Sequence, residues 1–310
     1  TDIYGVQGIG SVGMLGNSYV LTKNIDASVT PGWNGGAGFS PIGNAVTTFT
    51  GKFIGQNNTV RNLFINRPTT DYVGLFGYSG TGSVISNVGL VGNSVIGQSK
   101  VGGLAGWGSG TINASYVSGS VSGTGSVGGL LGGNFGGTIG NSYASGSVSG
   151  TFNVVGGLVG YNDAGGSISN SFSTGSVSST SSFVGGLAGV NYNNSAITNS
   201  YSTASVIGGG NRIGGLAGDL FNNSTITNAY STGSVSGSAD FGGLVGFDIG
   251  GMITNSYWNT TTSGLVSSAG GTGLTTAEMM QSSSFAGWNT VTPNTISNVG
   301  GSGAIWRIYE

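Results

Sequence analysis

This 310-residue chain offers few groups for chemistry: nine acids, seven Lys and Arg, no His and no Cys. Acids gather locally only at Asp219, Asp240 and Asp248. Paired carboxylates about 5 to 9 Å apart would serve glycoside hydrolysis, and oxygen-rich loops would hold calcium. Counted from the Leu of a recurring glycine-rich box, Asp219 stands at plus three, Asp248 at plus four and Asp240 at minus four. Asp219 and Asp248 are therefore expected along one edge of adjacent windings. They are read first as solvated loop acids, then as a weak Ca2+ site, with hydrolysis last.

Position plus three also carries the chain's irregular aromatics, in the series Tyr78, Trp107, Gly133, Tyr161, Val190, Asp219, Phe247. Two readings stay open for Tyr78, Trp107, Tyr161 and Phe247. They form a platform for sugar rings or another partner, or they pack over a corner between strands. A second column, Tyr116, Tyr143, Phe172, Tyr201, Tyr230 and Tyr257, is nearly uniform and reads as interior or turn packing. Ser120, Ser147, Ser176, Ser205 and Ser234, with Ser122, Ser149, Ser178 and Ser236, flank a Val column and predict a flat hydroxyl face. Such a face is compatible with ice binding, although Ser lacks the methyl that Thr would supply.

Much chemistry is excluded by composition. Without His there is no Ser-His-Asp triad, Cys-His pair or imidazole metal site. Without Cys there are no disulfides or thiolate ligands, and compartment is left open. The few cations form no basic stripe, so no nucleic-acid partner is expected. No apolar run reaches about 18 residues, so no membrane span is expected. No signal-peptide pattern opens the sequence at Thr1, as in a mature or excised stretch. The expectation is a chain that is not an enzyme and has no cofactor, calcium aside.

What positions these residues is a repeat. The box reads VGLFG, VGGLAG, VGGLLG, VGGLVG, VGGLAG, IGGLAG and FGGLVG. Its Leu residues are Leu75, Leu104, Leu130, Leu158, Leu187, Leu216 and Leu244, in steps of 26 to 29 residues. A fixed period in this range marks a solenoid. Within each unit an Ile precedes the aromatic, and a Ser-Val-Ser run follows, as at Ile168, Phe172 and Val177. Each segment is short, alternates with period two, and is bounded by Gly, Asn and Ser, which is strand and turn grammar.

The fold class expected is all-β: a single right-handed parallel β-helix of about 28 residues per coil, with distinct end caps. Its 66 Gly fit neither collagen nor disorder, because Pro is scarce, net charge is only −2 and mean hydropathy is positive. Stacked charges would repel across coils, and between Val101 and Asn211 the only Asp, Glu, Lys or Arg is Asp163. Asn141, Asn170, Asn199, Asn228 and Asn255 form a column, begun by Asn62 and Asn87, whose amides are expected to bond coil to coil.

Three regions follow: residues 1–50 as an N-terminal cap with first irregular coils, 51–260 as the repeat β-helix, and 261–310 as a C-terminal cap. Tyr4, Met14, Leu15, Tyr19, Trp33, Phe39 and Phe49 supply bulk for the first. In the last, Thr275 and Glu278 predict a helix capping box, and AIWRIYE a terminal strand.

The box GGLVG, repeated and followed by Asn-Ser-Tyr, resembles the GLUG motif of bacterial surface and secreted proteins. The N-terminal run from YVLTKNIDASVTPGW to DYVGLFG is similar to the lead-in of filamentous-haemagglutinin-type adhesins and exoproteins. GLTTAEMM through WRIYE is similar to the segment that closes such arrays, though residues 261–310 exceed a minimal cap. The resemblance implies export by a bacterium to the cell surface or medium, and adhesion or matrix building. It carries over no catalytic residue.

The function expected is a structural or adhesive extracellular rod, from a bacterial surface adhesin, matrix protein or self-assembling filament. Its partners would be glycans, a host or neighbouring-cell surface, or further copies joined head to tail. The alternatives are a glycan-binding or carbohydrate-active β-helix and an ice-binding protein.

Overall fold

The computed structural model describes residues 2–152, 154–285, 288, 290–291 and 306–307. Successive boxes stack directly. The Leu158 N–H donates to the Leu187 carbonyl at 2.9 Å, and Leu187 donates to Leu216 at 2.8 Å. The same bond links Leu104 to Leu130 and Leu216 to Leu244. All seven box Leu residues are fully buried. The chain is thus a parallel β-solenoid with about seven regular turns and little helix.

One coil illustrates all of them. Val155–Gly156 joins a six-stranded sheet, and Val159–Asp163 a seven-stranded sheet. Ser167–Ser169 and Phe172–Ser179 both join a broad third sheet. The box is a strand segment whose paired glycines allow the backbone to turn or approach closely, and the chain bends there, at Gly-Gly-Leu, into two strands. A Cβ on Gly157 would lie 2.0 Å from the Gly186 carbonyl oxygen, and one on Gly156 would lie 1.9 Å from the Val159 carbonyl oxygen. The glycines are fixed by backbone approaching backbone.

The Asn-Ser-aromatic triplet has a separate job for each member. Asn141, Asn170, Asn199, Asn228 and Asn255 all turn the corner at φ between 46° and 51°, in the left-handed region that Asn tolerates. This common backbone defines the column more than the amide ladder expected from sequence. Its amides meet at 3.2 Å between Asn228 and Asn199, while Asn141 bonds instead to Asn113 at 2.9 Å. The next Ser is buried and clips two coils: Ser171 Oγ donates to the Ser169 carbonyl at 2.7 Å and accepts from the Ser142 N–H at 3.2 Å. Ser115, Ser142 and Ser200 repeat this bonding.

The aromatic that follows stacks on its copy. Ring centroids lie 4.8 Å apart for Tyr116 and Tyr143, 4.7 Å for Tyr143 and Phe172, and 4.9 Å for Phe172 and Tyr201 and for Tyr201 and Tyr230, with planes within 5°. This column is half-buried on the outer surface just after the Asn corner, so of the interior and turn-packing readings the interior one is corrected, because the following residue (Ala144, Ser173, Ser202) takes the inward position. Only Tyr257, under Phe285 and Trp288 at the C-terminal end, is buried.

At the N-terminal end, strand pairing continues down to Ser18–Val20 on Lys52–Ile54 and Ile25–Asp26 on Val60–Arg61. The helix Ile3–Gly8 buries Ile3 and Val6 against the open core. At the other end, Trp258 covers Gly243, and its indole N–H donates to Leu265 at 3.2 Å. Thr275 and Glu278 form the expected capping box on the helix Thr276–Met279. Of the AIWRIYE strand, Trp306–Arg307 are in strand and the rest lies outside the described residues. No helix among the described residues is long and apolar enough to cross a membrane.

Leu158→Ala should cost about 2 to 5 kcal/mol by leaving a cavity, seen as a lower urea midpoint. Gly157→Ala should be at least as damaging, because its Cβ meets backbone. Ser178→Ala, on the outer face, should stay within about 0.5 kcal/mol of the parent.

Candidate functional site

The seven-stranded sheet holds the plus-three residues in one register. Tyr78 pairs with Trp107, Trp107 with Gly133, Gly133 with Tyr161, Tyr161 with Val190, Val190 with Asp219 and Asp219 with Phe247. Tyr78, Trp107, Tyr161 and Phe247 are all half-buried. Position plus four points inward, and plus five faces out again with Phe135, Tyr192 and Phe221. Trp107 lies 6.1 Å from Phe135, Tyr161 is edge-on to Tyr192 at 6.3 Å, and Tyr192 stacks on Phe221 at 5.2 Å.

A third column edges this face at the start of each box. Tyr72, Lys100, Phe183, Arg212 and Asp240 all have φ between 46° and 61°. Such a conformation is an outlier for bulky residues, and strain of this kind clusters at functional sites. It aims two cations across the aromatics. Lys100 Nζ donates to the Tyr72 hydroxyl at 2.7 Å, 4.3 Å above that ring and 5.6 Å from Trp107. Arg212 sits 4.4 Å from the Phe247 ring and 5.0 Å from Phe183, and donates to Asp219 Oδ2 at 2.9 Å. Cation–π contacts of this kind contribute about 0.5 to 2 kcal/mol each.

Asp219 is 4% exposed, a buried acid where the sequence reading expected a solvated one. Burial pushes its carboxyl pKa up, partly offset by Arg212. Tyr161 is raised too, by burial and then by the charges of Asp163 and Asp219 and by Tyr192. These residues enclose a recess of about 400 Å3 between Tyr161, Val190, Tyr192, Arg212, Asp219 and Phe221.

Asp248 does not share an edge with Asp219. It pairs with Leu220, one residue further along the strand, so the two carboxylates lie on opposite faces of the sheet. Asp248 Oδ1 accepts the Gly251 N–H at 2.9 Å. Asp240 is exposed, in register with Arg212. No group of three or more His, Cys, Asp or Glu suited to a metal occurs among the described residues. The expected Ser columns are in register, broken where Ile207 stands opposite Ser178 and Ser236.

Sequence reading missed two features. One is the plus-five aromatic column. The other is a buried ladder at plus four, where Asn134 Nδ2 donates to Asn162 Oδ1 at 2.8 Å and Asn162 to Asn191 at 2.7 Å. Three consecutive Asn at that offset were a visible signal for the second.

Residues 153–178 and 181–207 match the family model for the GLUG motif. Two adjacent coils therefore carry the GLUG motif. Halomucin of Haloquadratum walsbyi is 48% identical over 91 residues, 28% of this chain and 1% of that protein. A glycine-rich protein of Evansella cellulosilytica, provisionally named a membrane protein, is 34% identical over 82 residues, 26% of this chain and 9% of that one. The chain thus corresponds to a small part of the curated relatives it matches. Among solved structures, a Bacteroides ovatus protein provisionally named an immunoglobulin A1 protease superposes with a TM-score of 0.54. It is 19% identical, over 81% of this chain and 82% of that one, a likeness of fold. This neighbour overturns the expectation that the chain is not an enzyme. The same architecture occurs in a protein named as a protease, so a non-enzymatic role does not follow from the fold.

Asp219→Asn isolates the buried charge. With its pKa raised in the fold, Asp219 stabilises most when protonated, and that contribution falls as pH rises through the carboxylate range. The melting temperature of Asp219→Asn, relative to the parent, should therefore climb between about pH 3 and pH 7. A flat or falling difference in calorimetry would contradict the assigned direction.

Proposed function

We propose that this solenoid is a surface-associated rod that adheres through the aromatic face of its seven-stranded sheet, with carbohydrate of an extracellular surface as its partner. The observation that carries this reading is that face itself. Tyr78, Trp107, Phe135, Tyr161, Tyr192 and Phe221 are presented on one side of a continuous hydrogen-bonded lattice.

Aromatic rings present a flat apolar surface with a polar tip, which suits the apolar face of a sugar ring and its hydroxyl edge. The lattice fixes each ring before a partner arrives, so little side-chain entropy is lost on binding. Repetition along the rod lets a polymer engage several sites at once, and avidity then exceeds any single contact. The likeness to halomucin and to a glycine-rich protein provisionally named a membrane protein supports association with a surface. The cations that border the face are already engaged, Lys100 with Tyr72 and Arg212 with Asp219, which supports a polymer partner held by stacking rather than by salt-dependent attraction.

Co-sedimentation with insoluble polysaccharides and cell-envelope material checks this. Binding should fall about tenfold when Trp107→Ala and Tyr161→Ala are combined, a loss near 1.4 kcal/mol. It should persist when Tyr143→Ala alters the aromatic column of the broad sheet. Equal losses from both changes would mean that this face is not the adhesive one.

A further inference from the structure

We propose that the recess over Asp219 is a subsite for a single neutral, hydroxyl-bearing sugar ring, an assignment that rests on the carbohydrate reading of the same face. Asp219 is almost wholly buried, and among the described residues Arg212 is the one side chain that hydrogen-bonds its carboxylate. Oδ2 accepts from Arg212 at 2.9 Å, whereas Oδ1 is buried without a partner. A buried acceptor left unsatisfied costs about 1 to 3 kcal/mol, and in a native protein it calls for a missing donor.

The register builds the recess. Tyr161, Val190, Asp219 and Phe247 occupy one column on four successive coils. The short Val190 leaves a gap beside the Tyr161 ring, bounded on the next coil by Asp219 and its partner Arg212. Tyr192 and Phe221 close the adjacent wall, stacked at 5.2 Å. The volume of about 400 Å3 falls in the range of small-molecule sites.

Charge selects the occupant. Arg212 already neutralises Asp219, and it is held in place between Phe183 and Phe247. A cationic ligand would have to compete with that guanidinium. An anionic sugar would meet Asp219 and also Asp163, whose Oδ1 accepts from Asn193 at 2.9 Å on the neighbouring coil. A neutral hydroxyl satisfies Oδ1 without disturbing the ion pair, while the ring's C–H face lies on Tyr161 or Tyr192. Asp219 and Arg212 side by side offer an acceptor and a donor, the pattern that a vicinal diol matches.

Saturation-transfer NMR of the whole chain with methyl glycosides of glucose, galactose, mannose, N-acetylglucosamine, fucose and xylose tests the subsite. Choline and galacturonate are the charged comparisons. At least one neutral glycoside should bind with a millimolar Kd, and choline and galacturonate should not compete with it. Asp219→Asn should weaken binding at least tenfold, and Val190→Phe, which fills the recess, should abolish it with the circular dichroism spectrum unchanged. The assignment is overturned if no neutral glycoside gives a signal, if a charged probe is preferred, or if neither variant changes binding. It is also overturned if a crystal soaked in the glycoside shows an ordered water only on Oδ1. If the parent chain binds no glycoside yet still co-sediments with polysaccharide, the subsite alone is refuted. If the parent chain does not co-sediment either, the adhesive reading is refuted with it.

Discussion

Each residue in the repeating part of this molecule must tolerate a neighbour in the equivalent position one strand spacing away. That constraint comes from the backbone ladder, in which carbonyls and N–H groups of successive coils satisfy one another, as from Leu158 to Leu187. It makes the structure quasi-one-dimensional. Side chains that gain from a copy alongside are retained in columns: Leu in the core, Ser in the buried clips, stacked Tyr and Phe on the surface. Residues that lose by repetition are rare, and the long stretch between Lys100 and Arg212 carries Asp163 alone among charged side chains.

The same rule explains why the two sides of the rod differ. On the broad sheet the columns are uniform, and Tyr116 to Tyr230 form one parallel stack. On the seven-stranded sheet, the outward positions change type from coil to coil, from Trp107 to Gly133 to Tyr161 to Val190 to Asp219. Uniformity maximises contact between copies. Variation leaves gaps, and a gap bordered by a large ring becomes a recess. Lys100 and Arg212 are stabilised sideways, by ring faces and by Asp219, rather than by neighbours in their own column.

Strained backbone is likewise divided between architecture and site. Asn at the corner of the broad sheet is the residue best suited to left-handed φ, and its recurrence there is economical. Tyr72, Lys100, Phe183 and Arg212 adopt the same region without that suitability. The stacked coils hold them there, and the result is that large side chains lean over the aromatic face. This gives the face a border that a regular strand would not supply.

The sequence by itself determined the coil. Its period, the buried box Leu column, the existence of the Asn column and the capping box at Thr275 could be read because each follows from local pattern or from repetition. Where equivalent residues shared one offset, their column could also be read, as at plus three. The tertiary structure alone decided which faces those columns occupy and what crosses between them. Asp219 and Asp248 are one strand position apart after alignment, and that single step puts them on opposite faces of the sheet. Arg212 reaches Asp219 from the other side of the Gly-Gly bend, which linear spacing does not reveal. Periodicity is encoded along the chain, whereas a pocket is a property of side chains from different coils meeting where the backbone turns.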